Sequence, residues 1–489
     1  MNDRVTIVGA GLAGSEAAWQ LAERGINVRL VEMRPLKQTA IHRTGDFAEL
    51  VCSNSLKSLD WSNAAGSLKT ELAIMGSKLL GLALENRVQA GKALAVDRDR
   101  FAAAVTATIV DHPRIQIENR EFTEFSELID DPMPSILATG PLTSAALEAA
   151  LSQRLGAKHL AFFDAAAPIV EADSLDMQLL FSQSRYSDDD DDYLNAPLDR
   201  EQYERLVGEL ATGKRVIARD FETADLFQAC QPVEEVARKG VDTLRFGALK
   251  PVGLTDPATG RRPWAVVQLR AENQERSAFN LVGFQTNLTF SEQERIFRMI
   301  PGLKRARFSR FGVMHRNTFI DAPRLLTPTL AWREHRQVHF AGQLGGTEGY
   351  VEAIASGLVA ALAVYARIQG GDLPPLPKTS LFGALLDYAT DPLTDPYQPM
   401  HVNYGIITAL QTKVKGRRDR YKQYAERALQ GIVDYKKANP GLGWLPEIDR
   451  DFLIGLADDR RLSVPDDSSS DASVSSCSLD QRSCDADTA

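Results

Sequence analysis

The 489-residue chain has four cysteines, Cys52, Cys230, Cys477 and Cys484, and no two of them form a close metal-type pair. Cysteines this few and scattered exclude a disulfide scaffold and a thiolate metal site, and leave single-thiol chemistry as their use. No apolar run approaches the roughly 20 residues needed to cross a bilayer. The N-terminus enters a strand-like run, Val5-Thr6-Ile7-Val8, with no leader before it. The expectation is a cytoplasmic protein with no membrane partner. An excess of positive charge is missing too, since the net charge is −9. Part of that charge is local. The stretch from Asp466 to Ala489 carries six Asp and one Arg among serines and has almost nothing to bury, so it reads as a disordered tail.

What is present is a globular composition, 44% hydrophobic and 25% charged, on a chain too long for one ordinary core. The opening reads strand, glycine turn, helix, strand: Val5–Val8, then Gly11–Glu23, then Val28–Val31. The turn Gly9-Ala10-Gly11-Leu12-Ala13-Gly14 matches G-x-G-x-x-G. Its first glycine permits the tight turn, the second lets backbone N–H groups approach a pyrophosphate, and the third lets helix and strand pack closely. Glu32 ends the second strand, where a carboxylate accepts hydrogen bonds from ribose hydroxyls. This is a Rossmann-like unit opening a doubly wound α/β sheet.

Ser67–Leu84 and Asp97–Val110 have helical spacing, and Ser135–Ala138 is a short strand ending in Thr139-Gly140-Pro141. After about Leu160 the texture changes to a mixed region with strand-like Pro263–Leu269 and Ala278–Val282. Val338–Ala341 resumes the buried-strand style and leads through glycines into a long helix, Gly349–Ala366. The expected organisation is a split nucleotide-binding domain, 1–160 and 312–460 with C-terminal helices, around an inserted α+β domain at 161–311, followed by the tail at 461–489. Two pieces favour FAD over NAD. Ile136-Leu137-Ala138-Thr139-Gly140 resembles the strand end of two-dinucleotide-fold flavoproteins. Gly342 and Gln343, before the helix from Gly349, occupy the place of their late flavin-binding strand, where a helix N-terminus offers its dipole.

At Phe47-Ala48-Glu49-Leu50-Val51-Cys52-Ser53-Asn54-Ser55-Leu56 the sequence resembles the TrmFO family, the folate- and FAD-dependent tRNA uracil-5-methyltransferases. The same pattern returns at Glu32-Met33-Arg34-Pro35, Ala93–Arg98, Phe163–Val170, Lys250–Leu254, Leu281–Asn287, Met314–Thr318 and Ala341–Tyr350, over about residues 1 to 455. The resemblance implies methylation of uracil carbon 5 in the T-arm loop of tRNA. The one-carbon unit would come from methylenetetrahydrofolate by way of reduced flavin, with NAD(P)H as reductant. Many members have a cysteine where this chain has Ala196, so that position carries no obligatory thiol chemistry here. Two alternatives stand beside this reading. One is the flavoprotein that modifies wobble uridines, which carries a longer C-terminal helical domain and lacks the Val51–Leu56 run. The other is a catalytically silent RNA-binding flavoprotein.

Carbon 5 of uracil is a poor nucleophile until a thiolate adds to carbon 6. Cys230 and Cys52 are the cysteines available outside the tail. Cys230 precedes an expected helix with Pro232 near its start and Gly240 after its end, and a helix N-terminus favours a thiolate. The resemblance makes Cys230 the nucleophile and Cys52 the second active thiol, its role left between acid–base work, protection of the flavin adduct and nucleophile. His315 corresponds to a family position near the folate. Glu348 stands as either a site residue or a helix cap. Lys413, Lys415, Arg417, Arg418, Arg420 and Lys422 put six basic residues into ten positions, suited to RNA phosphates. A second basic stretch runs from Arg295 to Arg310.

Overall fold

The computed structural model describes residues 4–39, 41–156, 160–185, 192–217, 231–395, 397–450, 452–453 and 455. Its first sheet is five-stranded, in the order Val338–Phe340, Ser135–Leu137, Arg4–Val8, Asn27–Glu32, Ile115–Asn119, and every pairing is parallel. These strands are near-continuous apolar runs because a parallel sheet is buried; Val5, Ile7, Leu30, Ile136 and Phe340 are fully covered. From Arg4–Val8 the chain goes to one neighbour through the helix Leu12–Glu23, Ile115–Asn119 adds beyond that neighbour, and Ser135–Leu137 and Val338–Phe340 add on the other side. That reversal opens a crevice at the C-terminal strand ends.

The helix Tyr350–Ile368 packs on Leu12–Glu23 so closely that a Cβ at Gly357 would lie 2.1 Å from the Ala13 carbonyl oxygen. This close crossing brings both helix N-termini to the same crevice. Tyr350–Ile368 is also long and apolar enough to span a membrane, contrary to the expectation from apolar runs, yet most of it is buried within the fold.

The second sheet has six strands, Phe181–Ser182, Tyr193–Leu198, Ala265–Ala271, Ala278–Leu281, Ile169–Glu171 and Phe308–Arg310, in that order, all antiparallel. It has its own core, with Leu194, Tyr203, Leu206, Val267, Phe279, Phe284 and Phe297 buried together. Between the sheets lies an antiparallel ribbon of Leu160–Ala165 and Met314–Phe319, where the chain leaves the first sheet and returns.

The single helix expected over Ser67–Leu84 is two helices, Ala64–Met75 and Lys78–Glu85. Gly76 at φ +76 breaks the run, because a Cβ there would sit 2.8 Å from the Pro446 carbonyl oxygen. Ser77 then caps the second helix, and buried Glu16 accepts hydrogen bonds from the Ser77 hydroxyl and the Leu79 N–H at 3.1 and 2.9 Å. The helix expected after Cys230 is a short one, Val233–Arg238. Six residues carry little dipole, so the helix-terminus argument for that thiol loses its force.

Candidate active site

The crevice is a cavity of about 410 Å³ at the ends of the parallel strands, lined by Val8, Gly9, Gly11, Glu32, Ala138, Gly342 and Gln343 among others. Gly9 has φ +97, and a Cβ on it would come within 2.6 Å of the Ala138 carbonyl oxygen. A Cβ on Gly14 would lie 1.8 Å from the Gly9 carbonyl oxygen, so the third glycine sets the helix-to-turn spacing. A Cβ on Gly11 would meet nothing within 4 Å. The turn is therefore packed on two sides and open on the third, facing the cavity.

Two helices start here, and neither has a side-chain cap: Gly11 stands at the N-cap of Leu12–Glu23 and Gly349 at that of Tyr350–Ile368. Their free N–H groups and positive dipole ends converge on one space, an arrangement that suits a pyrophosphate and an electron-rich ring. Glu348 is not at the N-cap position and lines the cavity instead.

Glu32 is buried at the strand end, with Oε2 accepting from the Ala10 N–H at 2.8 Å and Oε1 from the Arg34 N–H and Nε, each at 3.0 Å. Burial works against its charge, but Arg34 outweighs it and holds the carboxyl below its ordinary value. Glu32 is thus an anion at neutral pH on the wall where a ribose would lie. Two amides point to a polar ring. Asn317 is 1% exposed, lines the cavity, and neither its Oδ1 nor its Nδ2 has a partner among the described residues. The Gln343 Nε2 is buried with none either. Buried polar atoms left open this way cost about 1–3 kcal/mol each unless a ligand meets them. Open Gly11, anionic Glu32 and these amides together fit FAD.

Cys52 lines the same cavity. Its N–H donates to the Tyr350 hydroxyl at 2.8 Å, the Ser53 N–H donates to the same oxygen at 3.2 Å, and its Sγ lies 3.7 Å from the Ala165 carbonyl oxygen. Two buried arginines fix the backbone just before it. Arg98 Nη1 donates to the Leu50 carbonyl and Arg310 Nη2 to the Val51 carbonyl, each at 2.5 Å. Burial opposes the charge on Arg98, but an ion pair with Glu272 at 3.0 Å holds its guanidinium above the ordinary value. Arg310 makes no ion pair among the described residues, and burial, then Arg98 and Arg43, push it down to about 10. Asn54 finishes the clamp, donating to the Val96 and Ala271 carbonyls and accepting from Arg270 Nε at 2.9 Å. The Cys52 loop is therefore tied to the second sheet through Arg270, Ala271 and Arg310 and to the helix Tyr350–Ile368. His42, also on the cavity wall, is pushed down to about 4 by burial and then Arg34, so its ring is neutral.

Cys230 lies outside the described residues, as do Cys477 and Cys484. His315 stands on the ribbon strand Met314–Phe319, two residues before Asn317; its side chain falls outside the described part. Lys413, Lys415, Arg417 and Arg418 are exposed, the last two opening the helix Arg417–Ala438. Arg417 sits over the Tyr421 ring at 5.1 Å, and Tyr421 in turn lies against Tyr404. Lys422 lies over Trp61 at 5.9 Å, four residues along from Lys57 on the cavity wall. The second basic stretch is different. Arg295 and Arg307 are paired with Glu209, Glu292, Glu171 and Asp173, and Arg310 is turned inward, while Lys304 and Arg305 stay exposed.

Comparison with known proteins decides the family. The family model described as glucose inhibited division protein A matches residues 4–372. A curated Moorella thermoacetica protein named methylenetetrahydrofolate--tRNA-(uracil-5-)-methyltransferase TrmFO is 52% identical over 431 residues, covering 88% of this chain and 98% of its own length. The Bacillus subtilis (strain 168) protein of the same name is 46% identical over 433 residues, covering 88% and 98%. The chain belongs to the TrmFO family. Among solved structures, Aquifex aeolicus GidA superposes with a TM-score of 0.65 at 16% identity, covering 93% of this chain and 75% of that one. That likeness is one of fold.

Of the residues that build this TrmFO site, Arg98 and Tyr350 sit inside quoted motifs but carried no assignment, as did Asn317. Arg310 stands in the second basic stretch, a kind of cluster that suits phosphate contacts. Which backbone group the two arginines and Tyr350 serve depends on the fold.

Proposed function

We propose that this protein methylates carbon 5 of a uridine in the T-arm loop of tRNA, using FAD, methylenetetrahydrofolate as carbon donor and NAD(P)H as reductant. The observation that carries the reading is the combination of full-length likeness to TrmFO enzymes with a cysteine clamped on the wall of a cavity that fits FAD. FAD, when bound, supplies the redox chemistry that turns a folate-borne carbon into a methyl group. The Gly9–Gly14 turn and Glu32 hold its pyrophosphate and ribose, and Gly342, Gln343 and Asn317 orient its ring. Arg98, Arg310 and Tyr350 hold the Cys52 backbone still, which keeps the thiol at a defined place on the wall. The exposed basic residues at Lys413–Arg418 take the RNA phosphates.

Purified protein incubated with unmodified tRNA, labelled methylenetetrahydrofolate and NADPH is expected to place label on one T-loop uridine. Label at a wobble uridine, or none with flavin bound, would refute it. Cys230 is proposed as the nucleophile at carbon 6, with Cys52 as the second thiol. Fluorine at carbon 5 cannot leave as a proton does, so 5-fluorouracil tRNA should trap a methylated adduct, and peptide mapping should place it on Cys230. An adduct on Cys52 reverses the two roles.

A further inference from the structure

The wall that carries Cys52 also carries a carboxylate with a spare oxygen. Glu352 lies in the first turn of Tyr350–Ile368 and lines the cavity, its side chain 2% exposed. Its Oε1 accepts from the Val402 N–H at 3.2 Å and faces Lys57 Nζ at 3.8 Å. Its Oε2 is buried and has no hydrogen-bond partner among the described residues. A carboxylate that only supported the helix dipole would keep both oxygens hydrogen-bonded or in water.

The surroundings are shaped to hold it there. Glu352 lies against Gly349, at φ +116, where a Cβ would come within 2.2 Å of Oε2. Lys57 is a non-glycine residue at φ +65, a conformation that costs about 1–2 kcal/mol. Its side chain is 42% exposed, so it joins the buried carboxylate to solvent. His401 neighbours both; burial and then Lys57 hold its imidazole below the ordinary value, leaving a neutral ring that can take a proton. Lys69, behind the cluster, donates instead to the Ser58 and Ala65 carbonyls. Tyr350, one residue away from Val351 and two from Glu352, anchors the Cys52 backbone, so thiol and carboxylate share one rigid wall.

We propose that Glu352 is the base that removes the proton from carbon 5 of the target uracil, with His401 passing that proton to solvent beside the Lys57 ammonium. This rests on the methyl-transfer reading above. Once the one-carbon unit is bonded to carbon 5, the C5–H bond breaks. Its proton goes to Glu352 Oε2, its electron pair stays in the ring as the enolate of the carbon-4 carbonyl, and the thiolate remains on carbon 6.

The test uses holoenzyme, methylenetetrahydrofolate, NADPH and a tRNA transcript with tritium at uracil carbon 5. Glu352→Gln keeps the side-chain size and the acceptor for Val402. It is expected to keep flavin content and tRNA affinity, to release tritium at least about a hundredfold more slowly, and to accumulate a denaturation-resistant protein–RNA complex. Glu352→Asp, which retains a carboxylate, should recover part of the release. Wild-type tritium release in Glu352→Gln overturns the proposal. So does loss of flavin or of tRNA binding in that variant, which would make Glu352 an anchor for the site. Failure of the underlying reading shows separately, as a wild-type enzyme that transfers no carbon to uracil.

Discussion

The two sides of the cavity are built on different principles. The nucleotide side is founded on one short stretch, Arg4 to Glu32, in which Gly14 is required by the Gly9 carbonyl and Gly9 by the adjoining strand. The Cys52 side is assembled from five distant places: Cys52 itself, Arg98, Glu272, Arg310 and Tyr350. A local motif specifies its backbone by steric exclusion and tolerates changes elsewhere. A clamp made of long-range charged hydrogen bonds depends on the second sheet and the helix Tyr350–Ile368 being in place, and damage to either reaches the Cys52 loop.

Substitutions should separate the two. The largest effect is expected at Gly14→Val, where the new Cβ meets the Gly9 carbonyl oxygen at 1.8 Å. Soluble protein, if recovered, should be colourless, with a lowered Tm. Gly11→Val is its control, because the space there is open. It should fold with an unchanged Tm in the flavin-free form and fail only in flavin titration.

Next comes Arg98→Met, which strands Glu272 inside the protein. Loss of about 3–5 kcal/mol in denaturant unfolding is expected, with Arg98→Met/Glu272→Leu recovering much of it. If the single substitution cost no more than a surface pair, the clamp would not be a buried charge network. Tyr350→Phe removes one hydroxyl that accepts two N–H groups and should cost about 1–3 kcal/mol. Turnover should fall while flavin stays bound.

A pH series sharpens the contrast at the packing of the C-terminal helices. Buried Glu71 accepts the Leu381 and Phe382 N–H groups at 2.6 and 3.1 Å, and burial raises its carboxyl to about 8. Because the folded pKa lies above the unfolded one, the folded state holds the proton more tightly. That stability is fully present below about 4.5 and is lost as pH rises through about 8. The Tm of wild type relative to Glu71→Gln should therefore fall across this window and level off above it. The smallest effect on the fold is expected from neutralising Lys415, Arg417 and Arg418 together. Tm should be unchanged, while tRNA affinity drops and its salt slope flattens by about 2–3.

Sequence alone was enough for the parts governed by short-range sterics and hydrophobic period. The G-x-G-x-x-G turn, the flanking strands, Glu32 and the buried strand before Gly342 are all readable because only certain residues fit a tight turn or a strand covered on both faces. The break at Gly76 was not readable, since its cause is the carbonyl of Pro446, far along the chain. The two basic stretches look alike in one dimension, yet the first is exposed, while in the second Arg295 and Arg307 are paired with carboxylates and Arg310 is turned inward. Charge and polarity are printed in the sequence, but their use is set by what the fold brings within 3 Å. For the same reason Glu352 and Asn317 became site residues only when packing buried them on the cavity wall without giving every polar atom a partner.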